Sequence, residues 1–279
     1  MDVLIDPKVL EGIARERGVG VDLIEKDWIL GWLLYGVSVH APYLVFTGGT
    51  ALSKIYFPST WRLSEDLDFS VPSEPIVINE RIIEDIRTSV TQAENDGNVK
   101  LTIESFHQTS DPDKIGYVQC RIKYKGPIGN GRIKLDITRD PVIEVRKNPV
   151  LKVYRDYPNF LVSVKSLEEI TASKLVAIVS RDKIRDYFDV WMLLKDKSID
   201  IGKVKGILRV YMTFHKTKFA AENIIHPGIE KTLQPYWKRE IERLVSLRDG
   251  ITLDVMMKEL GELLKEKSFT QMKIQDGYS

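Results

Sequence analysis

Cysteine is nearly missing. Cys120 stands alone among 279 residues, so no internal disulfide can form and a reducing compartment suits the chain. Histidine is scarce as well, with four in all, and no cysteine/histidine zinc cluster can be drawn; any metal would be a hard cation held by carboxylates. No long hydrophobic run exists: Trp28–Val39 and Tyr43–Phe46 are the longest apolar stretches, well short of the roughly 18–20 residues that cross a bilayer. Met1-Asp2-Val3 leads into a polar segment and not into the basic-then-apolar pattern of an export leader. A cytoplasmic protein with no membrane association is expected. Neither sign of charge dominates, since 41 Lys+Arg stand against 40 Asp+Glu for a net charge of +1. That balance gives no overall nucleic-acid signature and leaves only local patches to consider. With 43% hydrophobic and 29% charged residues, disorder is excluded, and this length calls for one large or two modest domains.

Pattern then divides the chain. Residues 1–40 read as helical: Pro7 opens a helix toward Arg17, Gly18 and Gly20 stop it, and Ile24, Trp28, Trp32 and Tyr35 give the next one a broad apolar face. Tyr43–Thr47 is a short apolar run ending at Gly48-Gly49, and Ala51–Phe57 reads as a short helix stopped by Pro58. Leu67, Phe69 and Val71 alternate with Asp66, Asp68 and Ser70, the period of a half-buried strand. A helix is expected over Asn79–Glu94. Val118–Tyr124 and Ile133–Ile137 alternate on either side of a glycine-rich turn, which predicts a hairpin with Asp136 opposite its aliphatic face. Ser166-Leu167-Glu168-Glu169 is a capping box that opens a helical second part. Three segments follow: 1–40, helices packing on the core; 41–165, an α/β domain; and 166–279, a helical domain.

A few residues stand out chemically. Asp66 and Asp68 on one strand face lie about 7 Å apart, close enough to converge on one hard cation. Gly48-Gly49-Thr50, between strand and helix, is a place where bare backbone N–H groups can meet a phosphate, although the Gly-Lys-Ser/Thr of a P-loop and the Rossmann glycine pattern are both missing. Lys54, one helical turn beyond Thr50, faces the same anion in this reading; alone, such a residue is more often a surface lysine. Asp136 is either a third metal ligand or a solvent-facing acid. Were it a ligand, three carboxylates would suit two magnesium ions. Lys174 sits where the stripe Ile170–Lys174–Ala177–Ile178 calls for an apolar side chain, so it needs a partner, a ligand or a route to the surface. Asp186 and Asp189 share a face distinct from the apolar stripe of Ile184, Tyr187, Phe188, Trp191 and Leu194. From Ile201 to Ala221 no acid occurs, while Lys203, Lys205, Arg209, Lys216 and Lys218 are interleaved with aromatics. That run is either a solvated helix face or an RNA backbone track.

Taken together, Thr47-Gly48-Gly49-Thr50-Ala51-Leu52-Ser53-Lys54-Ile55-Tyr56, Arg62-Leu63-Ser64-Glu65-Asp66-Leu67-Asp68-Phe69, Lys134-Leu135-Asp136 and the span from Glu169 through Lys174 to Arg185-Asp186-Tyr187-Phe188-Asp189-Val190 resemble the AbiEii/AbiGii-type nucleotidyltransferase toxins of prokaryotes. Glu25-Lys26-Asp27-Trp28 is in keeping, and the resemblance spans about residues 25–194. It implies an α+β fold: a DNA-polymerase-β-like nucleotidyltransferase domain with a mixed sheet and flanking helices, followed by a helical bundle. It also implies a nucleoside triphosphate substrate, magnesium, an RNA acceptor such as the tRNA 3′ end, and a separately encoded antitoxin. By motif, Gly48, Gly49 and Thr50 would hold triphosphate, Asp66 and Asp68 would bind metal, Lys174 would contact phosphates, and Asp186 with Asp189 would form the last acidic motif. Transfer to a protein or small molecule, and triphosphate-dependent binding with little catalysis, are the competing readings.

Overall fold

The computed structural model describes residues 5–58, 60–72, 80–108, 117–245 and 250–272, and the chain separates into two compact units, 1–165 and 166–279. Asp6 caps the first helix, α1 (Pro7–Arg17), by accepting the Lys8 N–H at 2.9 Å. Gly18 ends it in the left-handed region that glycine adopts without cost. The next helix, α2 (Val21–His40), is buried on most of its circumference. The broad apolar face expected there is wider than one face, because α1, α4 (Glu80–Gly97), β5 (Asn130–Thr138) and β7 (Leu161–Lys165) all pack against it. Asn79, the expected first residue of α4, lies outside the described residues, and the helix continues past Glu94 to Gly97.

The remaining strands of the first unit are β1 (Val45–Thr47), β2 (Leu67–Ser70), β3 (Lys100–Gln108), β4 (Tyr117–Lys125) and β6 (Val145–Pro149). They form one seven-stranded mixed sheet in the order β3-β4-β5-β2-β1-β7-β6. The β4–β5 hairpin is antiparallel as expected, while β2 runs parallel to β5 and antiparallel to β1. Central placement changes β2: Ser70, expected on a polar face, is fully buried. The helix after the glycines also differs from expectation. It begins at Gly48 as α3 (Gly48–Ala51) and passes into a wider π-helical turn, Leu52–Tyr56, a rare geometry that recurs at functional sites.

A buried polar knot fastens that turn to α2. The Lys54 ammonium lies 2.7 Å from the Asp27 carbonyl and 3.0 Å from its carboxylate, with both side chains 5% exposed. The Tyr154 hydroxyl donates to the same carboxylate at 3.0 Å. Burial pulls the Lys54 ammonium below its ordinary pKa, and Asp27 opposes that pull.

In the second unit, α5 (Leu167–Ser180), α6 (Ile184–Lys195), α7 (Ile201–Phe214), α8 (Ile229–Tyr236) and α9 (Leu253–Glu266) make up a bundle, with no strand among the described residues. Ser166 caps α5 by accepting the Glu169 N–H at 3.2 Å. The Glu169 carboxylate takes the Tyr211 hydroxyl at 3.0 Å and so ties α5 to α7. Among the described residues no helix is long and apolar enough to cross a membrane.

Breaking the Lys54–Asp27 pair from one side leaves a buried charge uncompensated, which costs about 3–5 kcal/mol. Lys54→Met is expected to lower the urea unfolding midpoint accordingly, and the double variant Lys54→Met/Asp27→Leu to recover most of the loss. A single variant as stable as wild type would show that the pair carries no such burden.

Candidate active site

Three neighbouring strands bring the chemistry to one level of the sheet. Thr47 on β1 is in register with Asp68 on β2, and Asp68 with Asp136 on β5. Cross-strand partners share a face, so Asp68 and Asp136 are half-buried neighbours on the same side, opposite buried Leu67, Phe69, Leu135 and Ile137. Asp136 therefore belongs with the acid pair and is not simply a solvent-facing side chain. Its Oδ1 accepts from the Gln119 amide at 3.0 Å. Asp66, two residues before Asp68, pairs with Lys134 at 3.3 Å.

Gly48 joins this level directly. Its φ is 77°, a value that costs a residue with a side chain strain, and a Cβ at this position would collide with Asp68 Oδ2. The carboxylate thus rests against the first residue of the helix. Gly49 is confined in the same way: a Cβ there would stand 2.7 Å from Arg62 Nη2 and 3.3 Å from Ser64 Oγ. Arg62 is buried and also donates to the Leu63 carbonyl at 3.2 Å. Sequence reasoning quoted Arg62 and Ser64 within a motif but assigned them no role; their place immediately before the acid pair was the available signal. Gln119 had none, since only the strand register brings it to Asp136.

Two expected phosphate-binding side chains are used otherwise. Thr50 is fully buried and its hydroxyl donates to the Asp66 carbonyl, which anchors the start of the acidic strand and leaves only the Thr50 backbone for a ligand. Lys54 is a correction, because its ammonium is held in the core by Asp27 and does not face an anion at the glycine turn.

The donor set for a cation is all oxygen. Among the described residues no three acids, histidines or cysteines stand close enough to form a ready metal cage. Magnesium does not require one, since it commonly takes one or two carboxylates and completes its shell with waters and substrate phosphates. Asp68 and Asp136, adjacent in register beside a glycine turn whose crowding excludes any Cβ, fit that arrangement.

Within the second unit, Lys174 on α5 lies 2.7 Å from Asp186 and 2.8 Å from Asp189, both on α6. Arg181 adds a contact to Asp186 at 2.8 Å. The two acids, expected on a face apart from the apolar one, are instead 3% and 0% exposed; buried carboxylates need a cation such as Lys174 beside them. In the basic segment, Tyr211 and Phe219 belong to the core, and Lys205 lies over the Phe269 ring. Arg209, Lys216, Lys218 and Phe214 are exposed, while Lys203 is half-buried, so the segment offers cations with a single exposed aromatic.

Residues 32–259 match the profile of the family described as nucleotidyl transferase AbiEii toxin, type IV toxin–antitoxin system. The chain belongs to that family. It is accordingly a nucleotidyltransferase of the AbiEii toxin kind. Its fold is similar to that of MenT4, a nucleotidyltransferase toxin of Mycobacterium tuberculosis H37Rv, with a TM-score of 0.69 at 17% identity over 95% of this chain and 90% of that one. It is also similar to JHP933 from Helicobacter pylori, with a TM-score of 0.56 at 17% identity over 91% and 95% of the two chains. No curated protein sequence matches it.

The second-unit cluster of this AbiEii-family chain makes stability depend on pH. Burial alone would raise the Asp186 carboxyl, but Lys174 and Arg181 outweigh it and bring the pKa from 3.8 to about 2. With the folded value the lower one, the contribution is complete above about pH 4 and is lost as pH falls toward 2, an effect on the order of 2 kcal/mol. Asp186→Asn is expected to flatten the acid limb of the stability profile over that window. An unchanged limb in thermal melts would separate Asp186 from acid stability.

Proposed function

We propose that this AbiEii-family toxin transfers a nucleoside monophosphate from a nucleoside triphosphate to the terminal hydroxyl of an RNA, with tRNA the leading candidate, and releases pyrophosphate. The observation that carries the proposal is the shared level of Asp68 on β2 and Asp136 on β5, with Gly48, the residue after β1, set against the Asp68 carboxylate. Backbone N–H groups of the first helical turn, which lack intrahelical partners by geometry, face the triphosphate at Gly48, Gly49 and Thr50. Arg62 adds fixed positive charge beside Gly49, a preorganised countercharge of the kind that stabilises charge developing in phosphoryl transfer. Asp68 and Asp136, with Asp66, are the residues that would hold magnesium, and three carboxylates suit two ions. When bound, that cation supplies activation of the acceptor hydroxyl and neutralisation of the phosphates.

Lys174, held between Asp186 and Asp189, is the second unit's proposed phosphate contact, and exchange of those carboxylates for a phosphate would keep its charge balanced. The partner in the cell is a separately encoded antitoxin, as the family description implies.

The test is incubation of purified protein with each of the four α-labelled triphosphates, magnesium and total cellular RNA. Wild type is expected to label a tRNA-sized band with one or few of the nucleotides, and Asp68→Ala to lower that rate about a hundredfold or more while melting like wild type. Full transfer by Asp68→Ala would sink the assignment of the acid pair. Label on protein in place of RNA would move the acceptor to a protein hydroxyl, and bound triphosphate with no label anywhere would favour a binding role.

A further inference from the structure

The solvent face of the β3–β4–β5 meander carries six cations that the proposed mechanism does not use. Register places Lys100 beside Lys125, Lys123 beside Arg132, and Arg121 beside Lys134, and all six side chains are exposed. The opposite face, with Leu101, Cys120, Ile122, Ile133 and Leu135, is buried. Acids interrupt the array at two places: Glu104, at the β3 bulge, pairs with Lys123 at 2.6 Å and Arg132 at 2.8 Å, and Asp66 takes Lys134 at the end where Asp136 follows on β5. Lys100 and Lys125 have no ion-pair partner among the described residues.

The array has a direction. Along β4, Lys125, Lys123, Arg121 and Gln119 follow at every second position, about 20 Å in all. It ends at the candidate site: Arg121 donates to Gln119 at 3.0 Å, Gln119 donates to Asp136 at 3.0 Å, and Lys134 pairs with Asp66. Positive charge on an otherwise polar sheet face, leading to carboxylates that require a hydroxyl acceptor, complements a polyanion whose end is the reacting group. Among the described side chains on this face the one ring is the exposed imidazole of His107, in register with Gln119, so contact would be mainly with the sugar-phosphate backbone and tolerant of sequence.

We infer that the exposed face of β3–β5 is the track for the phosphate backbone of the acceptor RNA, guiding its terminal hydroxyl toward Asp68 and Asp136. The inference rests on the RNA reading above, yet binding can be measured without catalysis. The variant Lys100→Gln/Lys123→Gln/Lys125→Gln alters no residue of the proposed catalytic machinery. In titrations of a labelled single-stranded RNA at several salt concentrations, without triphosphate, it is expected to bind at least tenfold more weakly than wild type. Its slope of log affinity against log salt should fall by roughly two, the counterions of three single-strand phosphate contacts. Its melting temperature and triphosphate affinity should stay at wild-type values. An unchanged affinity and slope would overturn the track, as would a loss seen only in Lys203→Gln/Lys205→Gln/Arg209→Gln. Wild type that binds RNA through this face but labels none would retain the track and overturn the acceptor reading instead.

Discussion

The register of β1, β2 and β5 is the constraint on which the site depends. Side chains alternate along a strand, so a slip of one residue would turn Asp68 into the core and bring Leu67 or Phe69 to the surface. The apolar residues opposite prevent the slip: Leu67, Phe69, Leu135 and Ile137 are all buried on the other face. Burial of those four therefore does chemical as well as structural work, because it fixes which face the acids occupy. Thr50 adds a second lock by bonding its hydroxyl to the Asp66 carbonyl, which couples the helix after the glycines to the strand that carries the acids. Gly48 then closes the arrangement, since only a residue without Cβ fits between the helix start and Asp68.

Two lysines illustrate why charge in a sequence is hard to assign. Lys174 interrupts an apolar stripe and Lys54 stands one helical turn beyond the glycine turn, and both invite a phosphate partner when only local spacing is considered. In the fold each meets carboxylates from a different element, Asp27 on α2 for Lys54 and Asp186 with Asp189 on α6 for Lys174. The two environments differ in a way that bears on function. Lys54 is 5% exposed and further enclosed by Tyr154, whereas the side chain of Lys174 keeps 12% of its surface accessible. A cation balanced by two carboxylates at an accessible position can trade one partner for another anion; one sealed in a core cannot without unfolding its surroundings.

Local patterns made much of the molecule legible. Alternation located β2 and the β4–β5 hairpin, Pro58 marked the end of the short helix although its start lies at Gly48 and not at Ala51, and Ser166 marked the start of α5 with the cap that the structure contains. What stayed hidden had long-range causes. Strand β3 lacks a clean period because its bulge falls between Ile103 and Ser105, so Leu101 and Ile103 keep one alternation and Phe106 begins another. The burial of Asp186 and Asp189 depends on Lys174, twelve and fifteen positions away, and no helix-face count on α6 alone reveals it. The pairing of Asp68 with Asp136 is a parallel contact between strands separated by a helix and two further strands, a relation that only topology supplies.

A net charge of +1 conceals how the charges are sorted. Cations and acids that approach one another in the interior cancel in pairs, as at Asp27 and Lys54, and contribute little to the field outside. On the β3–β5 face the sorting runs the other way: six cations meet Glu104, shared between Lys123 and Arg132, and, at the end near the candidate site, Asp66 and Asp136. Charges exposed to solvent are screened over roughly 8–10 Å at ordinary salt, so neighbours on adjacent strands act together while the remainder of the protein is scarcely felt. The sheet face therefore carries an excess of positive charge although the chain as a whole is nearly neutral. For a polyanion the near field decides the encounter, and composition, which averages over the entire surface, carries no trace of it.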